Sequence, residues 1–574
     1  METIVGIDLG TTNSEVAILK EGRPFVIADT QGKKIVPSFV GKTSEAELIV
    51  GEMARNQYII APERTIKSIK RKMGTDEKVQ IGEESFTPQE ISAYILKYLK
   101  GMAEKYLGKT IEKAVITVPA YFTDKQRQAT KDAGEIAGFK VDRILNEPTA
   151  AALTYGLDRQ ENQKILVYDL GGGTFDLSVI EINSGVVEVL ATTGNSHLGG
   201  DDFDELLVKH VAEKFLEQHG IDLRQDRRAL ARLTRACEQA KIALSSTPFA
   251  SIKEEFIATK DSIPLHLEME IEREVFESLI RDLLKTTMDC VRNGLKEASL
   301  SIQDINKILL VGGSTRIPLI SNMLEEEFGI TPNMEIDPDL CVAMGASVQA
   351  GIISGEPIET ILVDVAPHSL GIEVADSHFG MPIPDIYSVL IKRNTAIPVS
   401  KSEVYTTLTP DQKMASIRVY QGEEPIASRN TFLGEFLLDK VARTQKGKPE
   451  IIVNFDYDVN GIVHVSALDK KTGYKKEITV TATPDTMTQE QKDEAAERIA
   501  ETEMYSDEDA DYAEENLEAL LYRAEKVLGT LHSEATKKNL QEGIEQMKQA
   551  IQNKEDGNIK EAEANLLEIL YDLE

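Results

Sequence analysis

Short apolar runs alternate with amphipathic stretches through the first 355 residues. Residues 113–118 and 307–311 are apolar runs of strand length, bounded by polar or glycine-rich segments. Residues 88–106 and 124–137 have the composition of helices, and Thr87 supplies an N-cap before a proline at the first helical position. This alternation predicts an α/β region large enough for two lobes.

The pattern changes twice after residue 355. Residues 365–483 contain short strands separated by turn signals, and an Asn-Gly pair at 460–461 predicts a hairpin, so we expect a β-sandwich. Residues 484–574 repeat apolar positions at helical spacing and predict a small helical bundle. Residues 356–364 lie between these regions and are either the first strand of the sandwich or a linker between domains.

Two segments that contain glycine turns have the same order of elements. Residues 4–19 and 165–182 each contain an apolar strand, the triplet Asp-Leu-Gly, a small polar turn and a second strand. Two copies of one hairpin predict two related lobes whose turns face each other across a cleft. Glycines allow backbone N–H groups to approach a phosphate, and Asp169 and Asp176 could hold a hydrated Mg²⁺. A plain glycine turn is the alternative for either copy alone.

A third glycine element occupies residues 308–318, where a strand runs through Gly-Gly into a predicted helix that offers backbone to a nucleotide. With Ile-Thr-Val-Pro-Ala-Tyr-Phe at 116–122 and Asn-Glu-Pro-Thr-Ala-Ala-Ala at 146–152, these motifs resemble the 70-kilodalton heat-shock chaperones of the bacterial DnaK type, closest to Gram-positive forms and with a short lid. The resemblance covers residues 1 to about 480 and continues more weakly beyond. It implies an actin-like (duplicated ribonuclease H-like) ATPase domain at 1–355, a linker at 356–364, a β-sandwich peptide-binding domain at 365–483 and an α-helical lid at 484–574.

Composition limits the partners. The net charge of −32 argues against nucleic acid and anionic membranes. Three well-separated cysteines make no disulfide framework and fit a reducing compartment. No signal peptide and no apolar run of membrane length are found, so the expected localisation is cytoplasmic.

The resemblance implies the residues of an ATP site. Lys70 would hold the γ-phosphate and the attacking water, Glu147 and Asp176 would position water or cations, and Thr174 would donate a hydrogen bond. Asp8 and Asp169 would bind Mg²⁺ through water, and K⁺ is the expected monovalent cation. The residues matching the phosphate and nucleoside contacts are Gly10, Thr11, Thr12, Asn13, Gly171, Gly172, Gly173, Gly199, Gly200, Glu238, Lys241, Ser245, Gly312, Gly313, Ser314, Arg316 and Asp339. Three of these, Glu238, Lys241 and Ser245, are spaced to share one helix face.

The resemblance also implies a groove for an extended apolar peptide. Its matching residues are Ile372, Val374, Ala375, Tyr405, Leu408, Ala415, Ile417 and Ile462, and each of them is also an ordinary candidate for a sandwich core. Ala375 and Leu408 would form the arch over the peptide, and the loop 376–387 is longer than usual. Pro119, Arg127, Leu362 and Asp364 match a relay that couples the two sites, so that ATP opens the groove and hydrolysis closes it.

The implied function is an ATP-dependent chaperone for unfolded or nascent polypeptides, assisted by a J-domain co-chaperone and a nucleotide-exchange factor. Three alternatives remain open at this stage: a small-molecule kinase on the same fold, an actin-like filament protein, and an ATP-binding relative that acts as a holdase or exchange factor. The first two leave residues 364–574 without a role.

Overall fold

The computed structural model divides into two compact units, one formed by residues 1–46 and 50–502 and the other by 47–49 and 503–574. The structure describes residues 3–157, 162–261, 263–333, 335–378, 381–442, 447–479, 487–502, 520–521, 524, 528, 534–553, 562 and 566.

The first lobe is built on a sheet with the strand order β11-β10-β1-β2-β3, in which β4 also pairs with β2. Its strands are β1 Ile4–Leu9, β2 Asn13–Lys20, β3 Arg23–Val26, β4 Val36–Pro37, β5 Val40–Lys42, β6 Leu48–Val50, β7 Thr65–Ile66, β8 Val79–Ile81, β9 Glu84–Phe86, β10 Lys113–Val118 and β11 Lys140–Asn146. Its helices are α1 Glu52–Ile60, α2 Pro88–Leu107, α3 Asp124–Ile136 and α4 Glu147–Gly156.

Helix α2 shows why the local sequence gives this structure. The Thr87 side chain accepts a hydrogen bond from the Glu90 backbone, and the Glu90 side chain accepts one from the Thr87 backbone. This capping box satisfies N–H groups that the helix itself leaves unpaired. The helix ends at Gly108, which adopts a left-handed conformation. Both predicted helices of this lobe are therefore confirmed, with boundaries that move by one residue.

The second lobe repeats the arrangement. Its strands are β12 Gln163–Leu170, β13 Phe175–Asn183, β14 Val186–Asn195, β15 Phe249–Lys260, β16 Ile263–Glu272 and β17 Lys307–Val311. Its helices are α5 Gly200–His219, α6 Arg227–Leu244, α7 Arg273–Glu297 and α8 Pro318–Phe328. The chain then returns to the first lobe, where α9 Cys341–Ser354 packs on β1, β2 and β10. In each lobe an antiparallel hairpin, β1–β2 or β12–β13, has a parallel strand beside its first strand, β10 or β17. The predicted duplication is therefore present in the sheets.

The segment after the second lobe is a strand, β18 Ile361–Val365. It pairs in parallel with residues 186–188 of β14 and in antiparallel with β21 Ala396–Ile397. Only the last part of the segment 356–364 is therefore a strand, and it pairs with the sheet of the second lobe on one side and with β21 on the other.

Residues 370–479 form two four-stranded sheets, with the orders β20-β19-β23-β24 and β22-β25-β26-β27. The strands are β19 Leu370–His378, β20 Met381–Ile391, β22 Val399–Thr406, β23 Ala415–Gln421, β24 Thr431–Leu438, β25 Glu450–Tyr457, β26 Val463–Asp469 and β27 Lys475–Thr479. The predicted hairpin around the Asn-Gly turn is β25–β26. The prediction of a long loop at 376–387 is wrong. Most of these residues extend strands β19 and β20, which form a long antiparallel hairpin.

The C-terminal segment contains two described helices, α10 Gln489–Glu501 and α11 Glu534–Asn553. Within the second unit, Leu540, Ile544, Met547 and Leu566 are buried in one apolar cluster, as their helical spacing predicts. Ala524 belongs to the same cluster, and Leu520, Leu521 and Leu528 pack against it. Four further apolar positions at helical spacing, Leu517, Val527, Leu531 and Leu570, lie outside the described residues. No helix in the described part of the chain is long and apolar enough to cross a bilayer.

Candidate functional site: a nucleotide cleft and its contacts with the β-sandwich

A cavity opens where the turns of the two repeated hairpins face each other. Polar and glycine residues from both lobes line it, together with the β17 turn and the start of α9. The lining residues are Asp8, Gly10, Thr11, Thr12, Asn13, Glu15, Lys70, Glu147, Asp169, Gly171, Gly172, Thr174, Val311, Gly312, Gly313, Pro338, Asp339 and Val342. Most of the residues predicted from the three glycine elements therefore converge on one space.

The turns approach each other so closely that glycine is required. A Cβ atom on Gly172 would overlap the Thr12 hydroxyl, and one on Gly199 would overlap the Gly172 backbone. Backbone hydrogen bonds hold this arrangement, with Gly200 N donating to Gly171 O (3.0 Å) and Asp201 N donating to Gly172 O (2.8 Å). The result is a backbone-lined cradle of the kind that binds phosphate.

Two buried polar atoms at the cavity have no hydrogen-bond partner in the described structure, Thr12 Oγ1 and Asp169 Oδ2. Buried polar groups are normally paired, so such exceptions mark a place for a ligand. Asp8 lies on the facing hairpin, where its Oδ1 accepts a hydrogen bond from Thr117 Oγ1 (2.8 Å). An unpaired hydroxyl fits a phosphate oxygen, and two facing carboxylates fit a hydrated Mg²⁺, so the residues present suit a metal-bound nucleotide.

Lys70 and Glu147 form the central ion pair of the cavity. Lys70 Nζ donates to Glu147 Oε1 at 2.5 Å, and the two side chains are 4% and 11% exposed. Lys70 lies on a short 3₁₀ turn at residues 69–72, whereas Glu147 is the first residue of α4. Burial raises the pKa of Glu147, and Lys70 opposes that effect. The pair places a buried lysine beside the phosphate cradle.

The carboxylates near this pair are strongly desolvated. Burial raises the pKa of Asp176 to about 6, although Asp176 accepts a hydrogen bond from Tyr121 N (2.8 Å). Burial, with the charges of Glu147, Asp176 and Asp8, raises the pKa of Asp169 well above its ordinary value. Carboxylates that repel each other in a cleft characterise a site that binds cations. Within the described residues no three such side chains form a complete metal site, so phosphate and water would supply the other ligands.

Of the predicted nucleoside contacts, Gly312, Gly313 and Asp339 line the cavity, and the others lie beside it. Lys241 Nζ contacts Asp204 Oδ2 (2.7 Å) and Gly200 O (3.2 Å). Glu238 faces Arg55 of the other lobe at 3.5 Å, and Ser245 caps the end of α6. Ser314 Oγ donates to Gly171 O (2.9 Å), and Arg316 binds Asp339 (2.6 Å). Ile242, on the same helix as Glu238 and Lys241, is exposed.

Two contacts across the cleft were not anticipated from the sequence. Ser68 Oγ donates to Asp201 Oδ2 (2.7 Å), and Arg71 pairs with Asp202 Oδ2 (2.6 Å). They join the segment that carries Lys70 to the start of α5 in the second lobe. The sequence could not indicate these contacts, because each joins residues more than 130 positions apart. The position of Arg71 next to Lys70 was the only local feature that pointed to a role for Arg71.

Two of the residues predicted for the relay, Arg127 and Asp364, belong to one buried hydrogen-bond network. Arg127 donates to Asn146 Oδ1 (2.6 Å) and to the carbonyls of Ala120 (2.9 Å) and Phe122 (3.3 Å). Asn146 Nδ2 in turn donates to Asp364 Oδ2 (2.8 Å) on β18. Thus Arg127 and Asp364 are connected through one asparagine. Leu362 is partly buried against the second-lobe core, and Pro119 lies at the end of β10.

The β-sandwich also contacts this surface directly. Asp124 Oδ1 accepts from Val463 N (3.2 Å), and Gln421 Oε1 accepts from Asp124 N (3.3 Å). His368 Nε2 donates to Tyr121 O (3.1 Å), and the two rings pack edge to face at 4.2 Å. Burial lowers the pKa of His368 to about 4 and raises the pKa of Asp124 to about 8.

The residues predicted for the peptide groove fall into three groups. Ile372, Val374, Tyr405, Ala415 and Ile417 belong to or pack against one apolar cluster of the sandwich. Leu408 is 51% exposed, and Ala375 is half-buried. Ile462 is separate from that cluster.

Ile462 belongs to the turn that meets the ATPase lobe. Its neighbour Gly461 lies so close to Arg127 that a Cβ atom would be 3.2 Å from the guanidinium, and its other neighbour Val463 bonds Asp124. The structure therefore brings Ile462 together with the relay and not with the other predicted groove residues.

Helix α10 packs on the first lobe. Lys492 pairs with Asp132 (3.1 Å) and Glu135 (2.9 Å), and Arg498 pairs with Glu90 (2.6 Å). Lys97 Nζ donates to the carbonyls of Ile499 (2.5 Å) and Thr502 (2.9 Å) at the end of the helix. These contacts are separate from the relay.

The described residues thus place a glycine-lined cavity between two related lobes and a buried hydrogen-bond network between the first lobe and β18. The model of the Hsp70 protein family matches residues 4–80 and 76–574. The chain is 49% identical to the chaperone protein DnaK of Thermotoga petrophila, over 97% of this chain and 94% of that protein. It is 54% identical to the chaperone protein DnaK of Thermotoga neapolitana, over 84% of this chain and 80% of that protein.

The chain therefore belongs to the Hsp70 family. The predicted fold is confirmed, as is the predicted function of an ATP-hydrolysing chaperone with a role in the stress response. ATP is the nucleotide of the family, and unfolded polypeptides and co-chaperones are its general classes of partner.

Proposed function

We propose that the cavity between the lobes is the ATP site and that Lys70 is its central catalytic residue. The observation that carries this proposal is the buried Lys70–Glu147 pair beside the glycine cradle. A buried ammonium can stabilise charge on the γ-phosphate and hold the attacking water, and positioning of this kind is the main catalytic effect in phosphoryl transfer. Glu147, Thr174 and Asp176 complete the group around the water.

The cations are part of the same proposal. Mg²⁺ would be held by Asp8 and Asp169 through water and would neutralise the β- and γ-phosphates. Asp176, whose carboxylate faces the Tyr121 backbone, would orient water and a K⁺ ion. Hydrolysis should accordingly be faster in K⁺ than in Na⁺ at equal ionic strength, and Asp176→Asn should reduce the difference.

Peptide binding is assigned to the outer part of the β-sandwich near Leu408. Ala375 and Leu408 would cover an extended apolar segment, and Val374, Tyr405 and Ala415 would line its path. Because β18 joins the sheet of the second lobe to the sandwich, the docked linker would hold the groove in its open form. The domain boundaries at 355, 364 and 483, a J-domain co-chaperone, a nucleotide-exchange factor and a cytoplasmic location are parts of this proposal that rest on the family resemblance.

Lys70→Ala tests the catalytic assignment. We expect single-turnover ATP hydrolysis to fall by at least about 10²-fold, or about 2.7 kcal/mol of transition-state stabilisation. ATP should still accelerate the release of a fluorescent apolar peptide, because binding and docking do not require hydrolysis. Lys72→Ala, on the same turn but exposed, is the matched control. Hydrolysis at the unmodified rate in Lys70→Ala would contradict the assignment.

A further inference from the structure

The outer part of the hairpin formed by β19 and β20, residues 376–384, has no role in the proposed function. β19 pairs with β20 over Leu370–His378, but it pairs with β23 only from Leu370 to Ile372. Among the strands that the structure describes, none pairs with residues 373–378 on the side of β19 opposite β20. At a rise of about 3.3 Å per residue, this open edge is about 20 Å long. It begins beside Arg418 of β23, which pairs with Glu373 (3.1 Å).

The other edge of the hairpin, along β20, is protected in two ways. Near its base the Asp385 carboxylate accepts hydrogen bonds from Ser428 N (2.7 Å) and Ser428 Oγ (2.6 Å), so a neighbouring segment covers the strand. Further out, β20 contains Pro382 and Pro384, which have no N–H to donate to another strand. Proteins use such features to prevent unwanted strand addition at a sheet edge. The β20 edge is therefore closed, whereas the β19 edge is open.

A bulge fixes the base of the outer hairpin. Val374 pairs with Ile386, but the next pair joins Asp376 to Ile383, so β20 has one extra residue between the two pairs. Asp385 lies in this bulge with a φ of 68°, and its contacts with residue 428 hold it there. A bulge of this kind bends a strand and increases its twist. The open edge of β19 thus starts from an anchored base.

We propose that residues 373–378 of β19 pair with the backbone of a bound polypeptide, which adds a strand beside β19 beyond the point where β23 diverges. The inference rests on the proposed peptide groove and extends it. Ala375, which is assigned above to the cover of that groove, lies on the open edge, so the edge continues the groove outwards. An unfolded polypeptide carries N–H and C=O groups along its whole length, and strand addition recognises these groups whatever the side chains are. The expected ligand is an extended segment longer than the apolar residues held in the groove.

The charges of the edge favour such a ligand over a second copy of this chain. Glu373 and Asp376 both lie on the open edge. Two copies joined edge to edge would bring four acids into one short ribbon, and each chain carries a net charge of −32. An extended segment without acids meets neither repulsion.

Peptide length tests the inference on the full-length chain with saturating ADP. A short fluorescent apolar peptide is compared with two peptides that lengthen it by six serine and threonine residues, one at the N-terminus and one at the C-terminus. We expect one of the two to bind at least about tenfold more tightly than the short peptide, because several backbone hydrogen bonds each add a modest contribution. The peptide lengthened at the other end is the length-matched control and should gain little.

N-methylation of the tighter peptide tests for backbone pairing without any change in the protein. Successive residues of a strand direct their N–H groups to opposite sides, so only every second N–H can pair with β19. Methylation at alternate residues of the added segment should abolish the gain in one register and preserve it in the other. The same effect in both registers would overturn the inference.

A shortened hairpin is the complementary test. A chain in which residues 376–383 are replaced by an Asn-Gly turn should bind the short peptide with unchanged affinity and lose the gain for the longer one. An undiminished gain in this variant, or equal affinity of the unmodified chain for all three peptides, would overturn the inference. Dimerisation of the unmodified chain that disappears in the shortened variant would also overturn it, since a second copy would then occupy the edge. Failure of the short peptide to bind the unmodified chain would overturn the proposed peptide groove instead.

Discussion

Two surfaces of the first lobe contact later parts of the chain, and they differ in kind. The relay surface is buried, and its contacts run through Arg127, Asn146 and Asp364. The surface that receives α10 is mixed, because Lys492 pairs with the buried Asp132 whereas Arg498, which pairs with Glu90, is half-exposed. Removing one member of a buried network leaves its partners unpaired and costs stability, whereas an exposed ion pair contributes little to stability. We therefore expect the relay surface to control docking and the α10 surface to adjust it.

The largest effect is expected from Arg127→Ala. The substitution leaves Asn146 and two backbone carbonyls without their donor, and each buried unpaired group costs about 1–3 kcal/mol. Docking should weaken by more than about 100-fold. Hydrogen exchange of the backbone amides of 361–365 with ATP present measures this directly, because a docked strand is protected.

Arg127→Lys is the matched variant for this prediction. It keeps the charge but lacks the planar, five-donor guanidinium that contacts three acceptors here, so it should recover only part of the protection. Full protection of residues 361–365 in Arg127→Ala would show that the network does not control docking.

A smaller effect is expected from Asp364→Asn on the linker strand. Asp364 Oδ2 accepts from both Asn146 Nδ2 (2.8 Å) and Thr149 Oγ1 (3.2 Å). An amide in place of the carboxylate weakens these hydrogen bonds, so docking should lose about 1–2 kcal/mol, roughly tenfold. The acceleration of peptide release by ATP should fall in proportion. Glu359→Gln, an exposed acid before the strand, should leave that acceleration unchanged.

A pH-dependent effect is expected at His368. In the docked structure its pKa is about 4, below the ordinary value of 6.5 for histidine, because the ring is buried against Tyr121 near Glu423, Arg393 and Arg127. When the sandwich separates and exposes the ring, the pKa returns towards the ordinary value. The separated form therefore binds the proton, and docking weakens as the pH falls from about 6.5 towards about 4, by up to about tenfold per pH unit.

His368→Leu removes this contribution and is compared with the unmodified chain at each pH. Asp124 titrates with the opposite sign, because its raised pKa of about 8 means that docking weakens as the pH rises through that value. Only the difference between the two proteins isolates the histidine. The same pH dependence of exchange at residues 361–365 in both proteins would contradict the prediction.

The smallest effect is expected from Arg498→Ala on α10. The arginine of the Arg498–Glu90 pair is half-exposed. We therefore expect the substitution to weaken the packing of α10 on the first lobe by less than about 1 kcal/mol. The change in exchange of α10 amides should disappear at high salt, because an exposed pair is screened. An effect on docking as large as that of Arg127→Ala would remove the distinction between the two surfaces.

The sequence was informative where structure follows from local chemistry. Thr87 and Pro88 predict their own helix start, and the two Asp-Leu-Gly turns predict facing lobes because each hairpin lies within one short continuous segment. It was uninformative where contacts join distant segments. Nothing near Ile462 in the sequence shows that its turn meets Arg127, and nothing near His368 indicates Tyr121. Such pairs are selected by packing between domains, which no local pattern encodes.

The short pairing of β18 with β14 has a consequence for the separated protein. When β18 leaves, residues 186–188 of β14 become an open sheet edge with unpaired N–H and C=O groups. A linker from a second chain has the same sequence and could add to that edge, which would exchange domains between two molecules. Only three residue pairs form this contact, and Glu188 and the preceding Glu359 place negative charge at its ends. Because the contact is short and the acids at its ends repel each other, little exchange between molecules would occur each time β18 separates from β14.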